Sequence, residues 1–146
     1  MGNRHLPPRS AFTLAEVVLV LVIMALTSLV GLRQIHLYLD RAATRNAVRA
    51  AGSVVARARD DAVALHTPVS VLIDTAAATL HLLSRTGSSV PTTLGDTHGV
   101  TISTTRDSIT FDVRGLGVGA ANLTLVARRG SASDTLVVSR LGRVRY

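Results

Sequence analysis

The stretch from Phe12 to Leu32, FTLAEVVLVLVIMALTSLVGL, limits what this chain can fold into more than any other feature, because it carries one charge in 21 positions. As a helix rising about 1.5 Å per residue it reaches roughly 32 Å, enough to span the apolar core of a bilayer. Upstream, MGNRHLPPRSA holds Arg4 and Arg9 and no acid, so the positive-inside bias keeps the N-terminus cytoplasmic and sends the C-terminal bulk across. A secretory signal peptide would have an apolar run of about 7–15 residues ending in a small-x-small site. The run here is longer, and no such site follows it. A plain signal anchor accounts for the length and the flanking charge but not for Glu16.

Glu16 is the only glutamate in the chain. A carboxylate in the apolar part of a membrane helix costs about 2.5–3.5 kcal/mol on insertion scales, so it normally has a partner or a function. A cut between Ala11 and Phe12 would create an α-amino group with Phe12 as first residue and Glu16 as fifth. Within one helix that amine lies about a turn from Glu16, and a neighbouring subunit shifted along the axis can supply it as well. A pair of this kind, buried among helices, sets the stagger between subunits.

These residues carry a resemblance. Ala11-Phe12-Thr13-Leu14-Ala15-Glu16, followed by the apolar run Val17 to Leu26 and preceded by a short basic leader, resembles the class III signal of type IV prepilins and type II secretion pseudopilins. The resemblance is specific because cleavage site, glutamate spacing and apolar run must coincide. It implies removal of residues 1–11 by a prepilin peptidase on the cytoplasmic face and N-methylation of Phe12. It also implies assembly, through Glu16, with other pseudopilins or minor pilins on an inner-membrane platform. The family usually has glycine before the cut; Ala11 departs from that pattern while remaining small.

Beyond residue 32, Val48, Ala51, Val54, Val55, Ala58, Ala62 and Leu65 recur at three- and four-residue steps, so an amphipathic continuation of the helix is expected over 33–66. Arg41, Arg45 and Arg49 form a stripe on another face, either solvated or in contact with lipid headgroups or a partner subunit. After Pro68 the pattern changes to short β-rich runs, read as strands near 69–74, 79–83, 100–104, 108–113, 123–128 and 136–139. The segment 85–99 reads as a polar loop, and 129–134 as the turn of a final hairpin. The expected class is α+β and pilin-like: a long N-terminal helix, membrane-spanning in its first half, packed on a C-terminal antiparallel β domain over 67–146.

All 16 basic residues are arginine and the formal net charge is +7, which suits nucleic acid, anionic lipid or acidic protein partners. With no cysteine, disulfides and thiolate metal sites are excluded. His5, His36, His66, His81 and His98 lack metal-ligand spacing, so no metal or other cofactor is expected. Gly115-Leu116-Gly117-Val118-Gly119-Ala120 fits a loose phosphate-loop pattern, but the residues after it read as a strand rather than a helix, so it is a turn. Nothing positions a nucleophile or a catalytic carboxylate pair, and the chain reads as a non-enzyme. Asn122-Leu123-Thr124 matches a glycosylation sequon at the start of a strand, with no role assigned.

The C-terminal half carries a second, looser resemblance. Ile109-Thr110-Phe111-Asp112-Val113-Arg114-Gly115, a glycine-containing link, and then Val137 to Arg145 look like the H-type minor pseudopilins of type II secretion and the FimT-like minor pilins. In the latter a basic tail of the type Gly142-Arg143-Val144-Arg145 is implicated in binding DNA during uptake. Arg143 and Arg145 share one side of an extended strand, with Arg140, Arg128 and Arg129 as potential neighbours and Tyr146 available to stack on a base. Two functions therefore stay open. One is a minor pseudopilin assembling into a periplasmic pseudopilus and meeting partner subunits or secreted cargo. The other is a minor pilin that captures DNA through Arg140, Arg143 and Arg145.

Overall fold

The computed structural model describes residues 12–85, 87–88, 90–119 and 122–146, without the side chains of 29–33 and 88. The chain divides into two units, Met1–His36 and Leu37–Tyr146, and helix α1, Leu14–Ala64, contributes to both.

In the first unit, Thr13 opens α1. Its Oγ1 accepts the Glu16 amide at 3.3 Å, and its carbonyl accepts the amides of Glu16 and Val17 at 3.1 and 3.2 Å. Every described side chain from Phe12 to Ser28 is exposed. Two of the three hydroxyls in this stretch return to the helix's own carbonyls: Thr27 Oγ1 donates to Ile23 at 3.0 Å and Ser28 Oγ to Met24 at 2.8 Å. That leaves neither of them needing water. Among the described residues no helix is long and apolar enough to cross a membrane. The span expected over 12–32 includes positions whose side chains lie outside the described residues, as do the whole leader and Ala11.

In the second unit, α1 buries Ala43, Ala47, Val48, Ala51, Val55, Ala58 and Ala62. With nothing larger than valine on that face, the helix can approach the sheets closely, and the bulk of the core comes from the strands. The face agrees with the expected periodicity except at its end: Leu65 is 46% exposed because α1 stops at Ala64 rather than near residue 66. His66 adopts a left-handed conformation with φ 51, and Pro68 cannot continue a helix.

The strands are β1 Val69–Asp74, β2 Thr79–Ser84, β3 Gly87–Ser88, β4 Thr92–Thr93, β5 Thr101–Thr104, β6 Ser108–Phe111, β7 Leu123–Arg129, β8 Ala132–Val138 and β9 Val144–Arg145, with a short helix α2, Leu94–His98, between β4 and β5. They form two antiparallel sheets. One has the order β3-β2-β1-β6 with β4 also on β2; the other has the order β5-β7-β8-β9. Strands β5 and β6 are consecutive yet belong to different sheets. The link between them bridges the two: Thr105 N–H donates to the Thr124 carbonyl at 3.1 Å, and Ile73 N–H to that of Asp107 at 2.8 Å. Inward side chains of both sheets and of α1 form one apolar cluster around Phe111, Leu80, Leu123, Leu125 and Leu136.

Three sequence expectations change. The segment 85–99 is not a plain loop, because it carries β3, β4 and α2. The final hairpin turns at Gly130-Ser131 rather than over 129–134, since Arg129 pairs with Ala132. Strand β8 accordingly starts at Ala132, four residues before the expected 136. Gly130 has φ 54, and glycine enters that left-handed region without steric cost.

Candidate functional site

The candidate residues fall in two places, one in each unit. In the first, Phe12, Glu16, Val17, Val20 and Leu21 border a groove of about 370 Å³. Glu16 is the one charged group there, and among the described residues it makes no ion pair. Its backbone amide serves the helix cap, the T-x-x-E spacing of a capping box, which the sequence offered and which the reading of Glu16 as an assembly residue passed over. The side chain remains available to a second molecule, and Phe12 beside it is 78% exposed. Ala11 lies outside the described residues.

The second place is the C-terminal hairpin. Strand β9 pairs with β8 so that Arg145 is opposite Val137 and Val144 opposite Val138. Residues 139–143 make the connecting turn, in which Ser139 N–H donates to the Arg143 carbonyl at 2.9 Å and Arg143 N–H to Ser139 Oγ at 3.2 Å. Asn122 Oδ1 accepts the Arg140 amide at 3.1 Å, so the residue of the sequon holds this turn. Helix α1 holds it too. Arg59 Nε donates to the Gly115 carbonyl at 3.2 Å, and a Cβ on Gly142 would sit 3.0 Å from Arg59 Cδ.

On this turn and the strand after it Arg140, Arg143 and Arg145 are all exposed, and among the described residues none has an acidic partner. The wider cluster does not form. Arg128 pairs with Ser133 while Arg145 sits opposite Val137, four residues away along β8, about 13 Å at the usual strand rise. Arg129, next to Arg128, faces the other side and is bound to Asp40. Tyr146 does not hang free either: a Cβ on Gly52 would lie 2.5 Å from its hydroxyl and 3.1 Å from the ring, so the tyrosine rests on α1.

The glycine-rich segment 115–119 is a turn, as its sequence implied. Gly117 bridges to Phe111, Val118 N–H donates to the Thr110 carbonyl at 2.9 Å, and a strand rather than a helix follows. Among the described residues no group of His, Asp or Glu is placed to hold a metal.

No family model and no curated sequence matches the chain. Solved structures do. The type IV minor pilin FimU of Pseudomonas aeruginosa superposes with a TM-score of 0.60 at 17% identity, covering 74% of this chain and 90% of that one. The minor pseudopilin EpsH from the type 2 secretion system of Vibrio cholerae superposes with a TM-score of 0.55 at 13% identity, covering 70% of this chain and 94% of that one. A helix packed on antiparallel sheets is thus an α+β, pilin-like fold that this chain has in common with the minor pilin and the minor pseudopilin.

Proposed function

We propose that this chain is a minor subunit of a pilin-type filament, a type II secretion pseudopilin held in the inner membrane by residues 12–32 with its head in the periplasm. The observation that carries the reading is the first stretch of α1, where every described side chain from Phe12 to Ser28 is exposed and all but Thr13, Glu16, Thr27 and Ser28 are apolar. Such a surface needs lipid or other helices around it. The pilin-like head and the structural likeness to FimU and EpsH support a subunit of a pilin-type filament. In this reading, a prepilin peptidase cuts after Ala11, Phe12 is methylated, and the new amine pairs with Glu16 of a neighbouring subunit as protomers enter the filament. The role is assembly rather than catalysis.

The test separates the carboxylate's charge from its place in the helix cap. Glu16→Gln preserves a capping-box residue but removes the charge. Co-assembly with partner subunits, read by crosslinking in cells and co-purification from the membrane fraction, should fall to background for Glu16→Gln and Glu16→Leu alike. Wild-type assembly of Glu16→Gln would overturn the pairing. A mature N-terminus found by mass spectrometry anywhere but Phe12 would overturn the processing.

A second reading is favoured by one observation, three exposed arginines on a braced turn and the strand after it, Arg140, Arg143 and Arg145, that have no acidic partner among the described residues. In that reading the head is a FimT-like minor pilin that grips phosphates of DNA there, using charge-assisted contacts that carry no sequence information.

A further inference from the structure

A cleft of about 380 Å³ opens between α1 and the β7–β8 turn, lined by Arg41, Thr44, Arg45, Ser131, Ser133 and Asp134 among others. We propose that it receives an aspartate or glutamate side chain of a partner protein, with Arg41 and Arg45 holding the carboxylate.

Arg41 and Arg45 stand one turn apart on α1, both exposed, and among the described residues neither has an acidic partner. The acid adjacent to them in sequence, Asp40, is occupied by Arg129, whose Nε lies 3.1 Å from its Oδ1. Two like charges at i and i+4 repel each other, so an incoming anion relieves a strain as well as making bonds. A guanidinium presents its donors as a planar fork that fits a carboxylate edge on, and the hydroxyls of Ser131 and Ser133 add donors from the opposite wall. The walls are firm. Thr44 is 2% exposed with its Oγ1 donating to the Arg41 carbonyl at 3.1 Å, and the turn opposite is fastened to α1 through Arg129 and Asp40.

Asp134 decides which anion fits. Its Oδ1 accepts the Thr135 amide at 2.9 Å, which holds a fixed negative charge in the lining. A nucleic acid brings phosphates every few ångströms and would be repelled there, whereas one isolated carboxylate can sit on the arginine side of the cleft. The inference rests on the assembly reading only for the identity of the partner, a neighbouring subunit.

Full-length protein in detergent micelles with 15N-labelled arginine provides the test. Its Arg41 and Arg45 Nε–H signals are followed while three probes are added: a terminally blocked Gly-Glu-Gly-Glu-Gly peptide, its glutamine counterpart, and a short oligothymidine. The glutamate peptide should shift both signals saturably, and the glutamine peptide should not. By titration calorimetry, Arg41→Gln combined with Arg45→Gln should weaken the glutamate peptide at least about tenfold, while Arg106→Gln, at an exposed arginine between β5 and β6, leaves it unchanged. Asp134→Asn should admit the oligonucleotide several-fold better than wild type. Equal shifts from the glutamine peptide, an oligonucleotide that displaces the glutamate peptide from wild type, or an affinity untouched by the double arginine substitution would each overturn the proposal. Peptide binding is read without any filament, so its failure is distinct from a failure of Glu16 to direct assembly.

Discussion

Arg129 Nε lies 3.1 Å from Asp40 Oδ1, while Nη1 of the same guanidinium donates to the His98 carbonyl at 2.7 Å. One side chain from the β7–β8 hairpin therefore fastens α1 and also satisfies the last carbonyl of α2, a five-residue helix with few bonds of its own. The hairpin turn is pressed against the same carboxylate, since a Cβ on Gly130 would lie 2.5 Å from Asp40 Oδ2. Arg129→Met should lower the stability of the head by about 1 kcal/mol, a modest figure because the pair is 42% and 24% exposed and solvent screens it. Gly130→Ala should cost about 1–2 kcal/mol from the left-handed backbone alone. Urea unfolding of the full chain in micelles, followed by circular dichroism, reads both.

Phe111 carries the core. It is 0% exposed and the one aromatic among the buried residues, facing a helix whose contribution is alanine and valine. Phe111→Ala should destabilise by about 3–5 kcal/mol, because the small residues opposite cannot move in to fill the cavity. Phe111→Leu should lose less. The shift of the denaturation midpoint distinguishes them, and a loss below about 1 kcal/mol for the alanine variant would contradict the assignment.

Gly52 and Tyr146 form a lock between α1 and the chain end. An added methyl at Gly52 would meet the tyrosine ring and hydroxyl, yet alanine favours a helix interior over glycine by about 1 kcal/mol. Gly52→Ala should therefore stabilise the head more in a Tyr146-deleted background than in wild type. Equal gains in both backgrounds would show that the contact carries no energy.

The two readings of the C-terminal hairpin separate by salt dependence. If the head binds DNA there, Arg143→Ala and Arg145→Ala should each lower the slope of log affinity against log salt by about 1 and weaken all sequences alike. Gel shifts with the full chain in micelles measure this. No retarded complex at physiological salt, or one that the double variant retains, removes DNA capture and leaves the assembly role.

Much of the head was legible from local pattern. The alternation of Val69, Val71 and Ile73 marked β1 at its observed bounds, and alanines and valines at three- and four-residue steps marked the buried face of α1. Turn residues marked the existence of the last hairpin, though over 129–134 rather than at Gly130-Ser131. These readings succeeded because they depend on the periods of strand and helix, which neighbouring residues determine by themselves. The two-residue strands β3, β4 and β9 carry too few residues to show any period. Their existence depends on what lies beside them, and α2 inside the polar segment escaped for the same reason.

The candidate site divides along the same line. The sequence alone determined an apolar N-terminal stretch with a lone carboxylate and an arginine-bearing tail, because spacing along one element places those groups. Only the tertiary structure decided which arginines meet what. Adjacent residues of a strand face opposite sides, so Arg128 points away while Arg129 reaches Asp40, about 90 positions back in the chain. The division into two sheets, the perch of Tyr146 on Gly52 and the facing of Arg41 and Arg45 by Ser131 and Ser133 are likewise contacts between distant segments. Local physics ranks such pairings as equals until packing of the whole head selects one.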